Sequence, residues 1–359
     1  MRLLSSLLLA TSLLIAPFVA LGADQAKVQT AWVCPMSEHA QEFDQPGTCP
    51  LCGMTLVEKS RRFRVAVLLF NYVEDIDFAA PVEVFGQAGA EVFTVAATMD
   101  PVRTVFALHV KPDYDLAHAP AADLILVPGG GVNTVLKDEP TVAWVRQRAT
   151  ESRYVMSVCN GTFILGKAGL LDGLTATTTA GRIDELAEAS PKTHVVRQRF
   201  VDNGKVITTA GLSAGIDGSL HVIEREYGRP RAEEVARGIE YRWEPESKWT
   251  RATYADMHLP DVHLPDDAHW QKLGSQGDTE HWEMHGRLQV PMAQEEFLDY
   301  STKQIVALGW TLRESKQGTR TFAKKDRDGQ TWVTTLASVP DTAPSTYLET
   351  MAVRKASGS

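Results

Sequence analysis

The amino-acid sequence predicts an α/β fold: a mostly parallel sheet with helices on both faces, accompanied by a small N-terminal metal knuckle and a small C-terminal α+β domain. Strand-like and helix-like patterns alternate from Phe63 onward, and parallel strands need such helical crossovers. A short apolar run leads through Cys159 into a helical pattern, which places one side chain at a strand-to-helix junction. Three cysteines lie within residues 34–52 and indicate a separate small module.

The chain divides into five predicted segments. Its composition, 44% hydrophobic and 23% charged, is ordinary for a globular protein. A net charge of -9 argues against binding to nucleic acid or to an anionic membrane surface. The segments are a signal peptide at 1–22, a heavy-metal-binding module at 30–60, the α/β domain at 62–242, a linker rich in His, Pro and Asp at 243–279, and the α+β domain at 280–356.

The N-terminal end has the pattern of an export signal. A positive start at Arg2 precedes a mostly apolar run from Leu3 to Val19, and Ala20-Leu21-Gly22 is a cleavage site of small residues. No cysteine follows in the cleavage region and no second long apolar run is present, so we expect no membrane anchor. The sequence therefore predicts an exported protein, which in a Gram-negative cell is periplasmic.

The small module after the signal has the spacing of a metal knuckle. Cys49 and Cys52 can converge on one ion, and Cys34 returns from the other arm of a hairpin-like loop. So short a segment cannot bury enough apolar surface to fold unaided, so a soft metal ion is expected to stabilise it. The alternative is a disulfide between Cys34 and one knuckle cysteine, which an oxidising compartment would favour.

The metal and its fourth ligand are open at this stage. Met36 and Met54 each lie two residues beyond a cysteine, and thioethers suit Cu(I), whereas His39 would complete a Zn(II) tetrahedron. The stretch resembles the short heavy-metal-binding domain of copper-efflux adaptors and metal-transporting ATPases. That family usually places histidine directly after Cys-Pro-Met, where this chain has Ser37.

Cys159 is the candidate nucleophile of the α/β domain. At the start of a helix the dipole stabilises a thiolate, so we expect a depressed pKa; the alternative is a buried core cysteine. Upstream, the strand that ends at Val127 leads into Gly129, Gly130 and Gly131, whose amides, with that of Asn160, could form an oxyanion hole. Asp77 is either the N-cap of the helix that starts at Phe78 or an acid/base beside Cys159.

These motifs together resemble the ThiJ/PfpI family, whose fold is class I glutamine-amidotransferase-like, a flavodoxin-like arrangement. The similarity spans residues 62–228 and includes DFAAPVEVF at 77–85, VPGGG at 127–131, SVCNG at 157–161 and TAGLSAGID at 209–217. The subgroup it most resembles contains isonitrile hydratases and the ligand-binding halves of AraC-like regulators. Two departures are Asn160, where relatives usually carry threonine, and the absence of histidine from residues 176–180.

The resemblance implies a set of roles. Cys159 would be the nucleophile and Asp77 the acid/base that hydrates an isonitrile to an N-substituted formamide, while the backbones of Gly130 and Asn160 would steady the developing charge. The further residues expected to contact a small-molecule substrate are Gly129, Gly131, Glu83 and Thr162. The resemblance implies no organic cofactor. It also implies a homodimer, because relatives commonly dimerise.

The C-terminal part shows no catalytic constellation. Residues 281–291 are predicted as a strand, 293–308 as a helix, and 311–314, 320–325, 331–338 and 347–354 as strands, with a hairpin turn at 326–329. We expect a binding or docking module. Two functions compete for the whole chain: a cysteine-dependent hydratase or hydrolase coupled to a metal module, and a non-enzymatic metal-handling or redox- and metal-sensing protein on the same scaffold.

Overall fold

The computed structural model describes residues 31–36, 39, 41–59, 62–247 and 249–356. The predicted signal peptide at 1–22 lies outside the described residues. None of the helices in the described part of the chain combines the length and the apolar character needed to cross a membrane.

The predicted α/β architecture is confirmed by a seven-stranded sheet. Its strands are β4 (Arg64–Leu68), β5 (Glu91–Ala96), β8 (Tyr114–Asp115), β9 (Leu124–Val127), β10 (Tyr154–Ser157), β13 (Phe200–Asp202) and β14 (Val206–Thr209). They lie in the order β13-β14-β10-β9-β4-β5-β8, and every neighbouring pair is parallel except β13–β14 at one edge. The central strands β9, β10 and β14 are buried along their whole length, as expected for a sheet covered on both faces.

The helices of this domain are α1 (Asp75–Gln87), α2 (Val132–Val135), α3 (Glu139–Glu151), α4 (Thr162–Lys167), α5 (Ile183–Ala189), α6 (Ala214–Tyr227) and α7 (Arg229–Gly238). Two short ribbons lie outside the main sheet, β6 (Val102–Arg103) with β7 (His109–Val110) and β11 (Thr175–Ala176) with β12 (His194–Val195). The single strand expected at 195–201 is therefore wrong: that segment contributes β12 to one sheet and β13 to another.

The N-terminal module is a three-stranded sheet of very short strands. These are β1 (Trp32–Val33), β2 (Glu42–Phe43) and β3 (Val57–Glu58), in the order β2-β1-β3. The buried core of the module is small: Cys34, Cys49 and Leu56. The module contacts the α/β domain: the side chain of Val57 lies against Gly89, and the Thr55 hydroxyl donates to Glu234.

The C-terminal domain is a six-stranded antiparallel sheet with one helix, α8 (Gln294–Ala307), packed against it. The strands are β15 (His269–Gly277), β16 (His281–Gln289), β17 (Thr311–Lys316), β18 (Thr319–Lys325), β19 (Thr331–Pro340) and β20 (Thr346–Lys355). Their order is β15-β16-β20-β19-β18-β17, and the turn predicted at 326–329 joins β18 to β19. The linker predicted at 243–279 differs from the structure, because β15 lies inside it and pairs with β16.

Candidate active site and metal centre

Cys159 lies at the carboxyl edge of the parallel sheet, in a single 3-10 turn (Cys159–Gly161) between β10 and α4. Its φ is +57°, in the left-handed region that side-chain-bearing residues seldom adopt. Such a backbone costs roughly 1–3 kcal/mol and persists only where the surroundings impose it. Here Thr178 Oγ1 donates to the Cys159 carbonyl at 2.9 Å, and Thr162 Oγ1 lies 3.2 Å from the same oxygen. The strand-to-helix junction predicted from the sequence is thus present in the structure, with Cys159 at its first position.

Asp77 is not a helix cap. The cap position of α1 is Glu74, and Asp77 lies within the first turn, completely buried. Its Oδ2 accepts from the Gly129 amide at 3.1 Å and its Oδ1 accepts from the Leu212 amide at 3.0 Å. The side chain therefore ties the glycine loop to the 209–217 segment, beside Cys159.

Gly129 is what lets the polar groups converge. A Cβ atom at this position would lie 2.3 Å from Asn160 Oδ1, 2.8 Å from Asp77 Oδ2 and 2.9 Å from Cys159 Cβ, distances that real carbon atoms do not show. Only glycine leaves room for the three side chains to share one site. Gly129 thus contributes to the site because it has no side chain that would collide with its neighbours.

The protonation of the pair differs from the prediction. Burial raises the pKa of Asp77 to about 7, although the Leu212 and Gly129 amides and the Cys159 thiol oppose the shift. Burial, followed by the charge of Asp77, raises the pKa of Cys159 to about 12. The expected depression of the Cys159 pKa is therefore wrong, because a short helix start contributes only about 0.3–1 kcal/mol. Near neutral pH the thiol holds a proton and the adjacent carboxylate can accept it.

The glycine loop does not provide free amide donors. The Gly129 amide donates to Asp77, the Gly130 amide to Asn160 Oδ1 at 2.7 Å, and the Gly131 amide to the Tyr72 carbonyl at 2.7 Å. The Asn160 side chain completes a reciprocal pair by donating to the Gly130 carbonyl at 2.9 Å. The charge-stabilising role expected for Gly130 is therefore not supported by the hydrogen bonding of this loop.

Sequence reasoning anticipated the Asn160 amide but missed the other groups that face the sulfur, Thr179 and Arg182. The Asn160 amide and the Thr179 hydroxyl hydrogen-bond to the Cys159 thiol and favour its thiolate, and the guanidinium of Arg182 interacts with it electrostatically. Leu212, with φ at +51°, is the other missed residue. It lies within the 209–217 motif, but the motif gives no hint that a backbone amide reaches Asp77.

Two expected substrate contacts lie elsewhere. Glu83 is exposed on α1, where it bonds to Gln87 and lines a cleft with Met36 and Met54. Thr162 is completely buried, with its hydroxyl 2.8 Å from Ser157 Oγ and 3.0 Å from the Thr177 carbonyl. Thr162 therefore fixes the turn from inside, and Glu83 belongs to the surface between the α/β domain and the metal module.

The metal module brings four donors together. The three thiol sulfurs and one ring nitrogen of Cys34, His39, Cys49 and Cys52 all lie within 4.8 Å of one another. Cys34 Sγ is 3.5 Å from both His39 Nδ1 and Cys52 Sγ, and Cys49 Sγ is 3.7 Å from His39 Nδ1. All four cysteines of the chain are free thiols in the structure, in contrast to the disulfide alternative. Three thiolates and one imidazole fit a single tetrahedral ion.

The electrostatics of the cluster also suit a cation. Burial, together with hydrogen bonding to Cys52 and Cys49, raises the pKa of Cys34 to about 11 despite an opposing bond from the Met36 backbone. Burial opposes ionisation of Cys49 too, but amides of Leu51 and Cys52 outweigh it and lower the pKa of Cys49 to about 6. Three thiolates held this close repel one another, so a bound cation is what would stabilise them together.

Comparisons with known proteins match a family model to each of two parts of the chain. The DJ-1/PfpI family model matches residues 63–225 and the heavy metal binding domain model matches residues 31–59. The chain is 36% identical over 182 residues to an isonitrile hydratase of Pseudomonas putida, and the match spans 50% of this chain and 78% of that protein. It is 32% identical over 123 residues to the HTH-type transcriptional regulator GbdR of Pseudomonas aeruginosa, and this match spans 34% of this chain and 33% of that protein.

A solved ThiJ/PfpI family protein from Pseudomonas syringae is 30% identical, with a TM-score of 0.48, and the match covers 52% of this chain and 78% of the other. The resemblance predicted from the four sequence motifs is confirmed by the family match and by the Pseudomonas putida relative. The chain belongs to the DJ-1/PfpI family and carries a heavy metal binding domain ahead of it.

Proposed function

We propose that the α/β domain is a cysteine-dependent hydratase that converts small isonitriles to N-substituted formamides. The observation that supports this most directly is the pair formed by the buried Asp77 and the partly buried Cys159, in which a protonated thiol adjoins a carboxyl group with a pKa of about 7. A group with that pKa can both accept and donate a proton near neutral pH. The Pseudomonas putida isonitrile hydratase, 36% identical, supports the choice of substrate class.

In the first step the thiol adds across the terminal carbon of the isonitrile. Asp77 accepts the thiol proton as the sulfur–carbon bond forms, which offsets the raised pKa of Cys159. Asp77 then delivers that proton to the same carbon. The product is a thioimidate, R–N=CH–S–Cys159, and no atom is lost. The Asn160 amide and the Thr179 hydroxyl stabilise negative charge on the sulfur during the attack.

In the second step water hydrolyses the thioimidate. Asp77 takes a proton from water as the oxygen adds to the carbon, and a proton passes to nitrogen. Collapse of the adduct breaks the carbon–sulfur bond, releases R–NH–CHO and returns a proton to the thiol. The sum is one isonitrile and one water to one formamide, with no redox change and no organic cofactor.

The test is turnover of a small alkyl isonitrile, followed by loss of its infrared N≡C absorption and appearance of the formamide. We expect the wild-type protein to be active and Cys159→Ala to be inactive, while Cys52→Ser, which removes an exposed thiol of the other site, retains turnover. Activity in a folded Cys159→Ala variant, or none in the wild type, would overturn the proposal. The second outcome would favour the non-enzymatic alternative, a metal-handling or sensing protein.

We further propose that the N-terminal module binds one Zn(II) ion through Cys34, His39, Cys49 and Cys52. A donor set of three thiolates and one imidazole suits zinc, whereas Cu(I) would draw on the thioethers of Met36 and Met54. Metal analysis of protein purified anaerobically should give one zinc per chain, and His39→Ala should weaken zinc binding more than Met36→Leu does. Copper retained in a Met-dependent manner would reverse the assignment.

Export and dimerisation complete the proposal. Residues 1–22 have the pattern of a cleavable signal, and free thiols in an oxidising periplasm would be protected by a bound metal. N-terminal sequencing of protein recovered from a periplasmic fraction should start near residue 23. Light scattering of the same material should give twice the chain mass, as a homodimer does, and the mass of a single chain would contradict dimerisation.

A further inference from the structure

A second cavity lies in the C-terminal domain, far along the chain from Cys159. It has a volume of about 190 Å³ and is bounded by α8, by the inner face of the sheet and by a strap, residues 259–264, that crosses them. The strap is fixed to α8 by two reciprocal bonds, His263 N to Gln304 Oε1 and Gln304 Nε2 to His263 O, each 3.0 Å. The lining is mostly apolar and includes Met284, Leu288, Phe297 and Met351, together with the polar residues Ser301 and Glu349.

Two polar atoms in this apolar wall have no partner within the described part of the chain. Ser301 is completely buried and Glu349 is 4% exposed, yet neither Ser301 Oγ nor Glu349 Oε2 makes a hydrogen bond there. The other carboxylate oxygen, Glu349 Oε1, accepts from Ser338 Oγ at 2.5 Å, so the side chain is held in place with one oxygen free. A buried polar group without a partner costs about 1–3 kcal/mol. The two atoms thus mark a position for an outside group.

The charges of the cavity lining indicate which kind of ligand group would bind there. Its described lining residues include two carboxylates, Glu349 inside and the exposed Asp261, and no Lys, Arg or His. Burial raises the pKa of Glu349 to about 7, opposed only by the Ser338 bond, as expected for a carboxylate that faces no cation. A cationic donor would supply both the missing charge and the missing hydrogen bonds.

We propose that this cavity binds a small apolar primary amine. Its ammonium group donates to Glu349 Oε2 and Ser301 Oγ, and its hydrocarbon part packs against Leu288, Phe297 and Met351. The size is suitable, because an apolar cavity of about 150 Å³ accommodates a benzene molecule. The site is independent of the chemistry at Cys159 and gives the C-terminal domain a ligand-binding role.

The test uses three probes with the same six-carbon chain and different polar ends, n-hexylamine, n-hexanol and n-hexanoate, titrated into the purified protein by calorimetry. The fluorescence of Trp270, which lines the cavity, provides a second signal. We expect hexylamine to bind at least about tenfold more tightly than hexanoate, which corresponds to about 1.4 kcal/mol. Glu349→Gln should remove this preference, and Ser301→Ala should weaken hexylamine binding by a smaller factor.

The matched control is Glu283→Gln. Glu283 precedes the cavity residue Met284 on β16, so its side chain points to the opposite face of the sheet. It should leave hexylamine binding unchanged. Equal affinity for the three probes, no binding of hexylamine to the wild type, or the same affinity in a folded Glu349→Gln variant would each overturn the proposal. The comparison of probes on the wild type decides between these outcomes even if Glu349→Gln fails to fold.

Discussion

The two thiol sites of this chain show how neighbours decide what a cysteine does. In the N-terminal module three thiols and His39 Nδ1 lie within 4.8 Å of one another, on a module with only a small apolar core. In the α/β domain a single, partly buried thiol packs against a large core, beside one carboxylate and a few donors. Clustered thiolates need a cation, whereas a lone thiol with a raised pKa needs a base. The same side chain is therefore placed to ligate a metal ion in one region and, in the function proposed above, to act as a nucleophile in the other.

The variant with the largest expected effect on this comparison is Asp77→Asn, which removes the base from beside Cys159. Asparagine cannot take the thiol proton, so Cys159-dependent turnover should fall by about 100-fold or more. The asparagine side chain has only one acceptor oxygen, whereas the two oxygens of Asp77 accept from the Gly129 and Leu212 amides. One of these hydrogen bonds is therefore lost, and the free energy of unfolding should drop by about 1–3 kcal/mol. Steady-state kinetics and urea denaturation measure the two effects.

The control for that variant is Asp75→Asn in the same turn of α1. Asp75 accepts from the Thr104 hydroxyl and the Phe106 amide, so its replacement also removes an acceptor but lies outside the Cys159 pair. It should lower stability without lowering turnover in the folded protein. Equal loss of turnover in both variants would show that the role of Asp77 is structural.

A second effect is the pH dependence of the same pair. Because Asp77 must be ionised to act as base, kcat/KM should fall about tenfold per pH unit below about 7. Stability should change in the opposite direction. The folded pKa of Asp77 is raised above the 3.8 of an ordinary aspartate, so its contribution to stability is present below about pH 4 and is lost as pH rises through about 7. Asp77→Asn should flatten both profiles, and a wild-type kcat/KM that is flat from about pH 5 to 8 contradicts the base role.

A third measurement compares the two regions directly by their thiol reactivity. After chelation, Cys52 is exposed and should react with iodoacetamide before Cys159, whose partly buried thiol has a pKa of about 12. Mass spectrometry of labelled peptides over time gives the order, with untreated protein as the control, in which the knuckle thiols should be protected. If Cys159 is instead labelled fastest in the chelated protein, the result would support the depressed Cys159 pKa that was predicted from the sequence.

The smallest effect concerns the contact between the two regions. Gly89 has φ at +90°, and a Cβ there would lie 2.4 Å from Val57 Cγ1 of the metal module. Gly89→Ala should therefore cost about 1 kcal/mol or more and loosen the module, without changing turnover at Cys159. Gly86→Ala, where a Cβ meets nothing within 4 Å, is the control. Faster tryptic cleavage between module and domain in the Gly89 variant alone would confirm the contact, and equal cleavage of both variants would contradict it.

Local pattern alone determined the fold class, the elbow at Cys159 and the three cysteines of the N-terminal cluster. Buried strands such as Leu124–Val127 are continuous apolar runs, and the knuckle spacing of Cys49 and Cys52 is a property of adjacent residues. These features depend on neighbours within a few positions. They can therefore be recognised before any tertiary contact is known.

Only the tertiary structure decided how the site works. Leu212 lies 135 residues from Asp77 along the chain, yet its amide holds the carboxylate, and the Gly130 amide is occupied by a side chain 30 residues away. The raised pKa values arise from burial, which no local pattern states. Nor did the sequence show that a segment expected to be linker closes a cavity over Ser301 and Glu349. Hydrogen-bond occupancy and desolvation depend on every group that the fold brings near, so they are fixed only when the chain has packed.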